Sequence, residues 1–424
     1  MNSRSEKNNK IAETLKRTTQ RRSNMQIFTR TLKIDESHFS KEQKDILERM
    51  FLEAKWLRNS YIANGETQHY INKTEVDVKL PDGTLETRQI KALAAQVKQS
   101  VHQQIKDDLK GLKSSKEKGR KVGKLKFVSE VKSLNLKQPG KTYKFVNENN
   151  TRMKIQKLPG TIRVNGYEQL EEAAEFGNAK LVKRALGYYI IVTCYKHPEE
   201  KIPVDKPFDK LGVDFGIATS FTFSNGDTAN LYFEEPDRLK TLQKKLSRQQ
   251  KGSNGYKETV HLIECEYEKL SNRKNDCANK FMSFIMSQTD FLYYQDEMIS
   301  NWQKGLFGKK IHHDIQGRMK KLFTRNDNCV MIDRSLPTTQ LCVCGVLNKH
   351  SLDKRTYFCP SCGHICDRDE HSSVNMIRFG ENNIEYSSPV CGLHTVTGGE
   401  TVRRDIRYSS GVMQVSVKPE ASRS

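Results

Sequence analysis

The chain has 424 residues, of which 72 are Lys or Arg and 51 are Asp or Glu, so its formal net charge is +21. This excess of positive charge predicts a polyanionic partner, and the length predicts several domains and excludes a single small module. With 35% hydrophobic residues the chain can bury real cores, which excludes wholesale disorder. No segment approaches the roughly 20 apolar residues that cross a bilayer, and the first 24 residues are polar, so we expect neither a membrane span nor a secretory signal.

The N-terminal part of the chain predicts an arm, a strand and two helices. Residues 1–24 carry seven Lys/Arg and two Glu without apolar periodicity, which predicts a flexible basic arm. Residues 25–34 alternate apolar and polar, as a strand does. Ser40 and Gln43 form a capping-box pattern ahead of one helix, and apolar residues at helical spacing over 93–109 predict a second.

The second predicted helix runs into a strongly basic segment. Residues 110–126 hold eight Lys/Arg, one Glu and three glycines, a composition too charged and too rich in glycine for a packed element. We interpret the segment as a loop that tracks a phosphate backbone, with a solvated linker as the alternative. The side chains expected to contact nucleic acid here are Lys110, Lys113, Lys116, Lys118, Arg120, Lys121 and Lys124.

Short β-rich runs fill residues 127–208. They are KSLNL, YKFV, MKIQ, TIRV and YYIIVTCY, and Gly, Pro and Asn separate them. Together with the strand at 25–34 they predict a small barrel that the helical segment interrupts.

A single acid lies on the next predicted strand. Residues 211–223 alternate with period two, a turn follows at 224–227, and residues 228–233 read as the returning strand. Asp214 is the only charge on a face of small residues, which leaves room for a hydrated cation and a phosphate. The alternative is an Asp whose carboxylate is satisfied by nearby backbone donors.

Two further acid pairs complete a constellation. Asp296 and Glu297 follow an apolar run, at a strand end where sheet enzymes place ligands. Asp367 and Asp369 precede a helical segment at 370–377, where either could simply cap the helix. Acids on a first strand, a later strand end and a helix start are what an RNase H-like fold uses for two divalent cations. Mg²⁺ suits such a site because it prefers oxygen ligands.

The cysteines predict a metal site. Six of the ten lie between positions 329 and 366, a clustering typical of metal binding in a reducing cytosol and not of a disulfide framework. Two knuckles, each followed by a glycine, predict a structural four-thiolate zinc site, with four free thiols as the alternative. The expected ligands are Cys342, Cys344, Cys359 and Cys362, and Cys366 or Cys329 could substitute for one of them.

A basic helical hairpin is predicted between the first two acid positions. Residues 238–257 carry seven Lys/Arg and no acid, with leucines at helical spacing and a break at 252–255. Such a hairpin could grip a nucleic-acid backbone, and a solvated coil is the alternative. The expected contacts are Arg238, Lys240, Lys244, Lys245, Arg248 and Lys251.

Taken together, these motifs resemble the TnpB proteins of transposons and their descendants, the compact type V-F CRISPR effectors. The matching segments are LGVDFGIATS, LSRQQKGS, YYQDEMISNWQKGLFG, MIDRSLPTTQLCVCG, RTYFCPSCG and CDRDEHSSVNM, within about residues 25–378. The resemblance implies that Asp214 is the first RuvC aspartate, Glu297 the glutamate of the second motif and Asp369 the last aspartate. Asp296 and Asp367 would then be neighbours of ligands.

The resemblance implies an α+β multidomain fold. Its first part would be a wedge-type β-barrel with an inserted helical recognition lobe. Its second part would be an RNase H-like RuvC nuclease that carries a zinc-ribbon insertion. Two departures from the family are the one-residue spacer of the first cysteine pair, and His371-Ser372 where Asn-Ala is common. The implied ranges are 1–24 for the arm, 25–36 and 126–208 for the wedge, 37–125 for the recognition lobe, 209–336 and 366–380 for the nuclease, 337–365 for the zinc ribbon and 381–424 for an ill-ordered tail.

The function implied is that of an RNA-guided DNA endonuclease of the prokaryotic cytosol. A guide RNA would pair with target DNA beside a short motif that the protein reads, and one RuvC site would cut the DNA with two Mg²⁺ ions. The implied cofactors are these ions, one structural Zn²⁺ and the guide RNA, and two protein copies could share one RNA. The alternatives are a guided repressor that does not cut, which would typically lack one acid, and an unguided transposon-associated DNA-binding protein.

Overall fold

The computed structural model describes residues 3–80, 82–147, 149–198, 204–351, 354–381, 404–409 and 412–417. The chain divides into two compact units, Met1–Lys201 and Ile202–Ser424, each of which combines helices with a mainly β core. Within the described residues, none of the helices combines the length and the hydrophobicity that crossing a bilayer requires. The fold is therefore α+β and multidomain, as the sequence predicts.

The first unit begins with a helix and one strand, continues with a helical segment and ends in a run of six strands. They are α1 (Ser3–Arg22), β1 (Gln26–Asp35), α2 (Lys41–Ala63), β2 (Glu75–Lys79), β3 (Leu85–Gln89), α3 (Ala95–Glu117), β4 (Ser133–Leu136), β5 (Tyr143–Phe145), β6 (Arg152–Ile155), β7 (Ile162–Asn165), β8 (Glu175–Arg184) and β9 (Gly187–Lys196). The predicted strand at 25–34 and both predicted helices are confirmed.

The main sheet of the first unit is antiparallel and nearly closed. Its described strands lie in the order β4-β8-β9-β1-β7-β6-β5. Edge strand β5 comes close to β8, which lies next to the opposite edge strand. The Tyr143 hydroxyl of β5 donates to the Gly177 carbonyl of β8 at 2.5 Å, and the ring centroids of Phe145 and Phe176 lie 4.9 Å apart. Strand β1 lies inside this sheet although the helical segment separates it from the other strands, which is the interruption that the sequence predicts.

The helical segment is anchored to this sheet. Ser40 and Gln43 form the predicted capping box at the start of α2, and the Gln43 amide also donates to the Pro159 carbonyl at 2.9 Å. Leu47 of α2 and Leu32 of β1 are fully buried in one hydrophobic cluster, so helix and sheet share a core.

Three segments of this unit differ from the sequence predictions. The expected flexible arm contains helix α1, and Arg21 and Arg22 both pair with Glu175 of β8. The basic segment 110–126 is helical as far as Glu117, since α3 is already anchored by its buried first half and a glycine costs only about 1 kcal/mol there. The expected helical lobe also contains the β2–β3 hairpin.

Helices flank the sheet of the second unit. Its elements are β10 (Phe208–Phe215), β11 (Phe221–Phe223), β12 (Thr228–Ala229), α4 (Asp237–Ser247), α5 (Asn254–Gln288), β13 (Thr289–Gln295), α6 (Ile299–Trp302), α7 (Gly308–His313), α8 (Gln316–Phe323), β14 (Cys329–Ile332), β15 (Thr356–Phe358), β16 (Ile365–Asp367), α9 (Arg368–Gly380), β17 (Arg404–Ser409) and β18 (Val412–Val417). The predicted basic helical hairpin is confirmed as α4 and α5.

This second sheet is mixed, and its described strands lie in the order β14-β13-β10-β11-β12-β17-β18. Strands β10, β13 and β14 are parallel, and β11 returns antiparallel to β10. Helix α5 packs on the sheet through Phe281, whose ring lies 5.2 Å from that of Phe221. Strands β15 and β16 form a separate small hairpin between β14 and α9.

Two strand predictions for this unit are wrong. The strand expected over 211–223 ends at Phe215 and resumes at Phe221, because the Gln316 amide of α8 ties the turn by donating to the carbonyls of Gly216 (2.6 Å) and Ser220 (2.9 Å). The return at 228–233 shortens to β12.

The expected ill-ordered tail is also corrected in part. Strand β17 pairs in parallel with β12, and β18 pairs with β17, so residues 404–409 and 412–417 extend the sheet. The rest of the predicted tail, apart from Glu381, lies outside the described residues.

Candidate active site and metal centre

Strands β10 and β13 bring the first two predicted acids to one edge of the sheet. They run parallel, with Val213 opposite Tyr294, and Asp214 is the next residue on β10. After β13 the chain continues through Asp296 to Glu297. Because the carboxyl ends of parallel strands meet at the same edge, both Asp214 and Glu297 emerge there.

Helix α9 carries the third acid and packs closely on β10. The backbone of Gly212 approaches that of Ser373 so tightly that a Cβ on Gly212 would overlap the Ser373 carbonyl oxygen. The Ser373 hydroxyl donates to the carbonyls of Asp369 (2.8 Å) and of Thr222 on β11 (2.7 Å). The first turn of α9, with Asp369, therefore lies over the strand that carries Asp214.

The structure distinguishes the two aspartates at the start of α9. Asp367 is the N-cap, and its carboxylate accepts the backbone N–H groups of Asp369 (2.9 Å) and Glu370 (3.1 Å). The Asp369 carboxylate instead pairs with the guanidinium groups of Arg355 (2.7 Å) and Arg368 (3.1 Å). Asp367 is thus engaged by the backbone of α9 as its cap, whereas the partners of Asp369 are side chains.

Lys320 of α8 contacts the two acids of the second pair differently. Its ammonium pairs with the Asp296 carboxylate at 2.5 Å and donates to the backbone carbonyl of Glu297 at 2.7 Å. Asp296 therefore already has a counter-charge. Lys320 also fixes the backbone that presents the Glu297 side chain.

Electrostatics link the three acids. Burial raises the pKa of Asp214 well above its usual value, and the negative charges of Asp369 and Glu297 raise it further. Burial likewise raises the pKa of Glu297, although nearby Lys320 opposes the shift. A buried carboxylate whose pKa is raised by two neighbouring acids is a setting in which a divalent cation would be stabilised.

The three carboxylates do not form a closed coordination sphere in this conformation. In the described part of the chain, the groups of three or more ligand atoms that all lie within 4.8 Å of one another do not include Asp214, Glu297 or Asp369. In this conformation Arg355 and Arg368 neutralise the negative charge of the Asp369 carboxylate, which a metal ion would otherwise do.

A cavity of about 1460 Å³ opens beside Glu297, between α5 and the helices α6 to α8. The charged residues of its lining are mostly basic, with Glu235, Glu297 and Asp314 against Lys274, Lys309, Arg318, Lys320, Lys321 and Arg325. None of these residues is among the predicted nucleic-acid contacts. A signal was present in the sequence, because residues 304–325 hold seven Lys/Arg and a single Asp.

The predicted basic contacts lie on the surface of each unit. In the tract 110–126 the Lys and Arg side chains are exposed, as they are in Arg238 to Lys251. On α4 the predicted leucine seam is confirmed, since Leu239 and Leu242 are buried against Ile263 of α5. The basic face of α4 is thus presented outward, although Arg238 and Lys240 have acidic partners.

Four cysteine sulfurs converge in the insertion between β14 and α9. The sulfur atoms of Cys342, Cys344, Cys359 and Cys362 all lie within 4.8 Å of one another. The Cys342–Cys362 and Cys344–Cys359 sulfur distances are 3.5 and 3.7 Å, close to the roughly 3.8 Å that tetrahedral Zn–S bonds of about 2.3 Å require. The cluster therefore fits a structural zinc.

The turns after the two knuckles depend on glycine. Gly345 and Gly363, which follow the two knuckles, adopt φ values of +85° and +74° that favour glycine. The two alternative ligands are not in the cluster. Cys329 lies on β14 in the large sheet. Cys366 lies on β16, and its sulfur is close to the imidazoles of His364 and His371.

Two protein families match this chain, mainly in its second unit; the first match begins in β9 of the first unit. The family described as "Probable transposase" (OrfB_IS605) matches residues 192–301, and the family described as "Cas12f1-like, TNB domain" matches residues 320–376. These ranges include Asp214, Glu297, Asp369 and the four cysteines.

Two curated relatives share about a quarter of the aligned residues. A Streptomyces pristinaespiralis protein named "Putative RNA-guided DNA endonuclease" is 25% identical over 287 residues, which cover 65% of this chain and 67% of the relative. "Putative RNA-guided DNA endonuclease InsQ" of Escherichia coli (strain K12) is 24% identical over 166 residues, 38% of this chain and 40% of that protein. A solved structure, "Cryo-EM structure of the Cas12f1-sgRNA-target DNA complex", aligns with a TM-score of 0.43 at 11% identity, covering 84% of this chain and 99% of that one, a similarity too low to establish the fold.

Proposed function

We propose that this chain is an RNA-guided DNA endonuclease of the family of TnpB proteins and compact type V-F effectors, a proposal that the two matching families and the curated relatives support. The observation that carries this proposal is the placement of the three acids: Asp214 lies on β10, Glu297 follows the parallel neighbour β13, and Asp369 lies in the first turn of α9, which packs on β10. A protein that only binds DNA has no need for three acids at such an edge.

We assign the domains of the family to this chain as follows. The nearly closed first sheet would be the wedge and its helical segment the recognition lobe. The second sheet with α9 would be an RNase H-like RuvC nuclease, and the segment 337–365 its zinc ribbon. The order of elements supports the assignment, because the two acid-bearing strands are parallel neighbours and the third acid begins the helix that packs on them.

The three acids would hold two Mg²⁺ ions through their carboxylate oxygens. When bound, such ions supply the Lewis acidity for an in-line attack of water on a phosphodiester. Lys320 keeps Asp296 neutralised and orients the backbone of Glu297, while Asp367 fixes the first turn of α9 that presents Asp369. The basic cavity beside Glu297 would draw the DNA backbone toward these oxygens.

The partners proposed are a guide RNA and a target DNA, with base pairing as the source of most sequence specificity. The exposed basic tracts 110–126 and 238–257 offer phosphate contacts that are independent of sequence. Sequencing the RNA that copurifies with the full chain tests this part, because an unguided DNA-binding protein would retain no discrete RNA.

The isosteric variants Asp214→Asn, Glu297→Gln and Asp369→Asn test the nuclease assignment. Each should reduce cleavage of a matched DNA target at least 100-fold while RNA-dependent DNA binding persists, since each removes one metal ligand and no basic surface. Cleavage assays and binding titrations on the same RNA–protein complexes provide the measurement.

Asp367→Asn is the matched control, because asparagine can still cap α9. It should keep substantial cleavage. Wild-type cleavage in any of the three acid variants would remove that residue from the site, and an Asp367→Asn variant as inactive as Asp369→Asn would contradict the choice between the two. A wild-type complex that binds target and does not cut would favour the guided repressor.

A further inference from the structure

A second cluster of metal-binding side chains lies next to the four-cysteine site and shares none of its ligands. One ligand atom each from His364, Cys366 and His371 lies within 4.8 Å of the other two. His364 follows the second cysteine knuckle, Cys366 lies on β16, and His371 is in the first turns of α9. The three residues therefore come from the insertion and from the helix that carries Asp369.

The ring of His371 is held in one orientation by its neighbours. Its Nε2 atom lies 2.8 Å from the Leu341 carbonyl oxygen and 3.1 Å from the Asn375 amide nitrogen. Both hydrogens of that amide are donated to the carbonyls of Thr338 and Leu341, and a carbonyl can only accept, so Nε2 carries the hydrogen. The lone pair of the neutral ring is then on Nδ1. Tyr357, which is fully buried, stacks on the ring with centroids 3.9 Å apart and planes 19° from parallel. This is how proteins fix an imidazole that ligates a metal.

The other two side chains have freedom to adjust. His364 and Cys366 are partly exposed, and in the described residues no hydrogen bond involves the His364 imidazole or the Cys366 thiol. Zinc bonds of about 2.0–2.3 Å require ligand atoms roughly 3.3–3.8 Å apart, and the ligand atoms here all lie within 4.8 Å of one another, so metal binding needs at most a small inward movement. Rotation of these two side chains can supply that movement.

We infer that His364, Cys366 and His371 form a second metal site, which takes a divalent transition ion of the zinc class. Two imidazole nitrogens and one thiolate are borderline and soft ligands, which favour Zn²⁺ over the hard Mg²⁺ expected at the carboxylates. Three protein ligands leave a fourth position for water. The bound ion would join β16 and the knuckle turn to α9. The inference depends on the geometry of these residues and not on the proposed function.

Metal content and a spectroscopic titration test the site in the full chain. Elemental analysis should find about two zinc ions per wild-type chain and about one in Cys366→Ser or His364→Ala. Cys329→Ser is the matched control, because it removes a cysteine that lies outside both clusters, and it should keep two. One ion per chain in the wild type and in all variants would overturn the proposal.

Cobalt makes the two sites distinguishable and also reports on folding. Metal-free protein titrated with Co²⁺ alone should develop two sets of cobalt–thiolate absorption bands, one typical of a four-thiolate site and one typical of a mixed nitrogen and sulfur site; Co²⁺ at the carboxylates gives no thiolate band. Cys366→Ser should lose only the second set, and the surviving four-thiolate bands would show that the insertion is folded. Wild-type protein that shows only the four-thiolate bands, or a Cys366→Ser variant that keeps both sets, would contradict the inference.

Discussion

Lys274 is a buried lysine in the wall of the cavity beside Glu297. Only 6% of its surface is exposed, and its ammonium donates to the His312 carbonyl at 2.8 Å. Burial and, to a lesser extent, the charge of Arg318 lower its pKa to about 8, against the opposing effect of Asp314. In the unfolded chain a lysine has a pKa near 10.4. Between these two values the native state loses its proton while the unfolded state keeps it, so the stability of the native state rises with pH.

We therefore predict that Lys274→Met changes the pH dependence of unfolding. The variant lacks the buried charge, so between pH 7 and pH 10 the wild type should gain stability relative to it, by an amount on the order of 1–3 kcal/mol. That corresponds to several degrees in Tm for a unit of about 200 residues. Thermal unfolding at both pH values measures the effect. Lys269→Met, at a more exposed position of the same helix, should show no such change, and parallel Tm curves for Lys274→Met and wild type would refute the prediction.

Residue patterns in the sequence found the acid positions but could separate each pair only by resemblance. Asp296 and Glu297 both follow the same strand, and what distinguishes them is Lys320, which a helix contributes from further along the chain. Asp367 and Asp369 both suit a helix start, and only the N-cap geometry assigns them different roles. Contacts that are distant in sequence leave no trace in a local pattern.

The contact between β10 and α9 sets the position of an acid through a glycine. Gly212 allows the two backbones to approach, and any side chain there would meet the carbonyl of Ser373, which cannot move without moving the helix. We predict that Gly212→Ala destabilises the second unit by about 1–3 kcal/mol and reduces cleavage at least tenfold, because Asp369 is displaced with α9. Thermal unfolding and a cleavage assay measure both effects.

A second glycine provides the control for this substitution. At Gly317 in α8 an added Cβ would have only Ile299 nearby, at 4.0 Å, so Gly317→Ala should be neutral or stabilising by up to about 1 kcal/mol. Equal stability and cleavage for the two alanine variants would mean that the close approach does not position the acid.

Among the elements, local signals predicted most helices and the strands of the first sheet, while long-range pairing decided the exceptions. The capping box at Ser40 and the leucine seam of α4 are local and appear as expected. The alternation over 211–223 continues through a turn because both arms of a hairpin alternate, and the turn is fixed by Gln316 from α8. Strand β17 pairs with β12, a partner far earlier in the chain, so no local pattern identified its place in the sheet.

For the molecule as a whole, the net charge is +21, and we expect the exposed basic tracts 110–126 and 238–257 to contact phosphates. We predict that changing Lys113, Lys116 and Lys121 to Gln, or Lys244, Lys245 and Lys251 to Gln, weakens RNA or heteroduplex binding. Each lost contact should lower the slope of log affinity against log salt by roughly 0.7–0.9. Binding titrations at several salt concentrations provide the slopes.

Helix α1 offers a comparison of equal charge. Changing Lys10, Lys16 and Arg17 to Gln removes three basic residues from a segment outside the family resemblance, and it should affect the slope less. If all three neutralised proteins have the wild-type slope, the tracts are solvated faces.

The junction of β16 and α9 also limits where the chain can change in length. β16 ends at Asp367, which is the N-cap of α9, and Thr356 pairs with that same residue. One residue inserted at 363–366 would either turn the side chains of β16 to the opposite face or start the helix one position away, rotating Asp369 by about 100° around the helix axis. The exposed turn at Gly252, where an added Cβ meets nothing within 4 Å, has no such restriction. An insertion between α4 and α5 should therefore leave the fold of the second unit intact, whereas one next to the second knuckle should inactivate the protein.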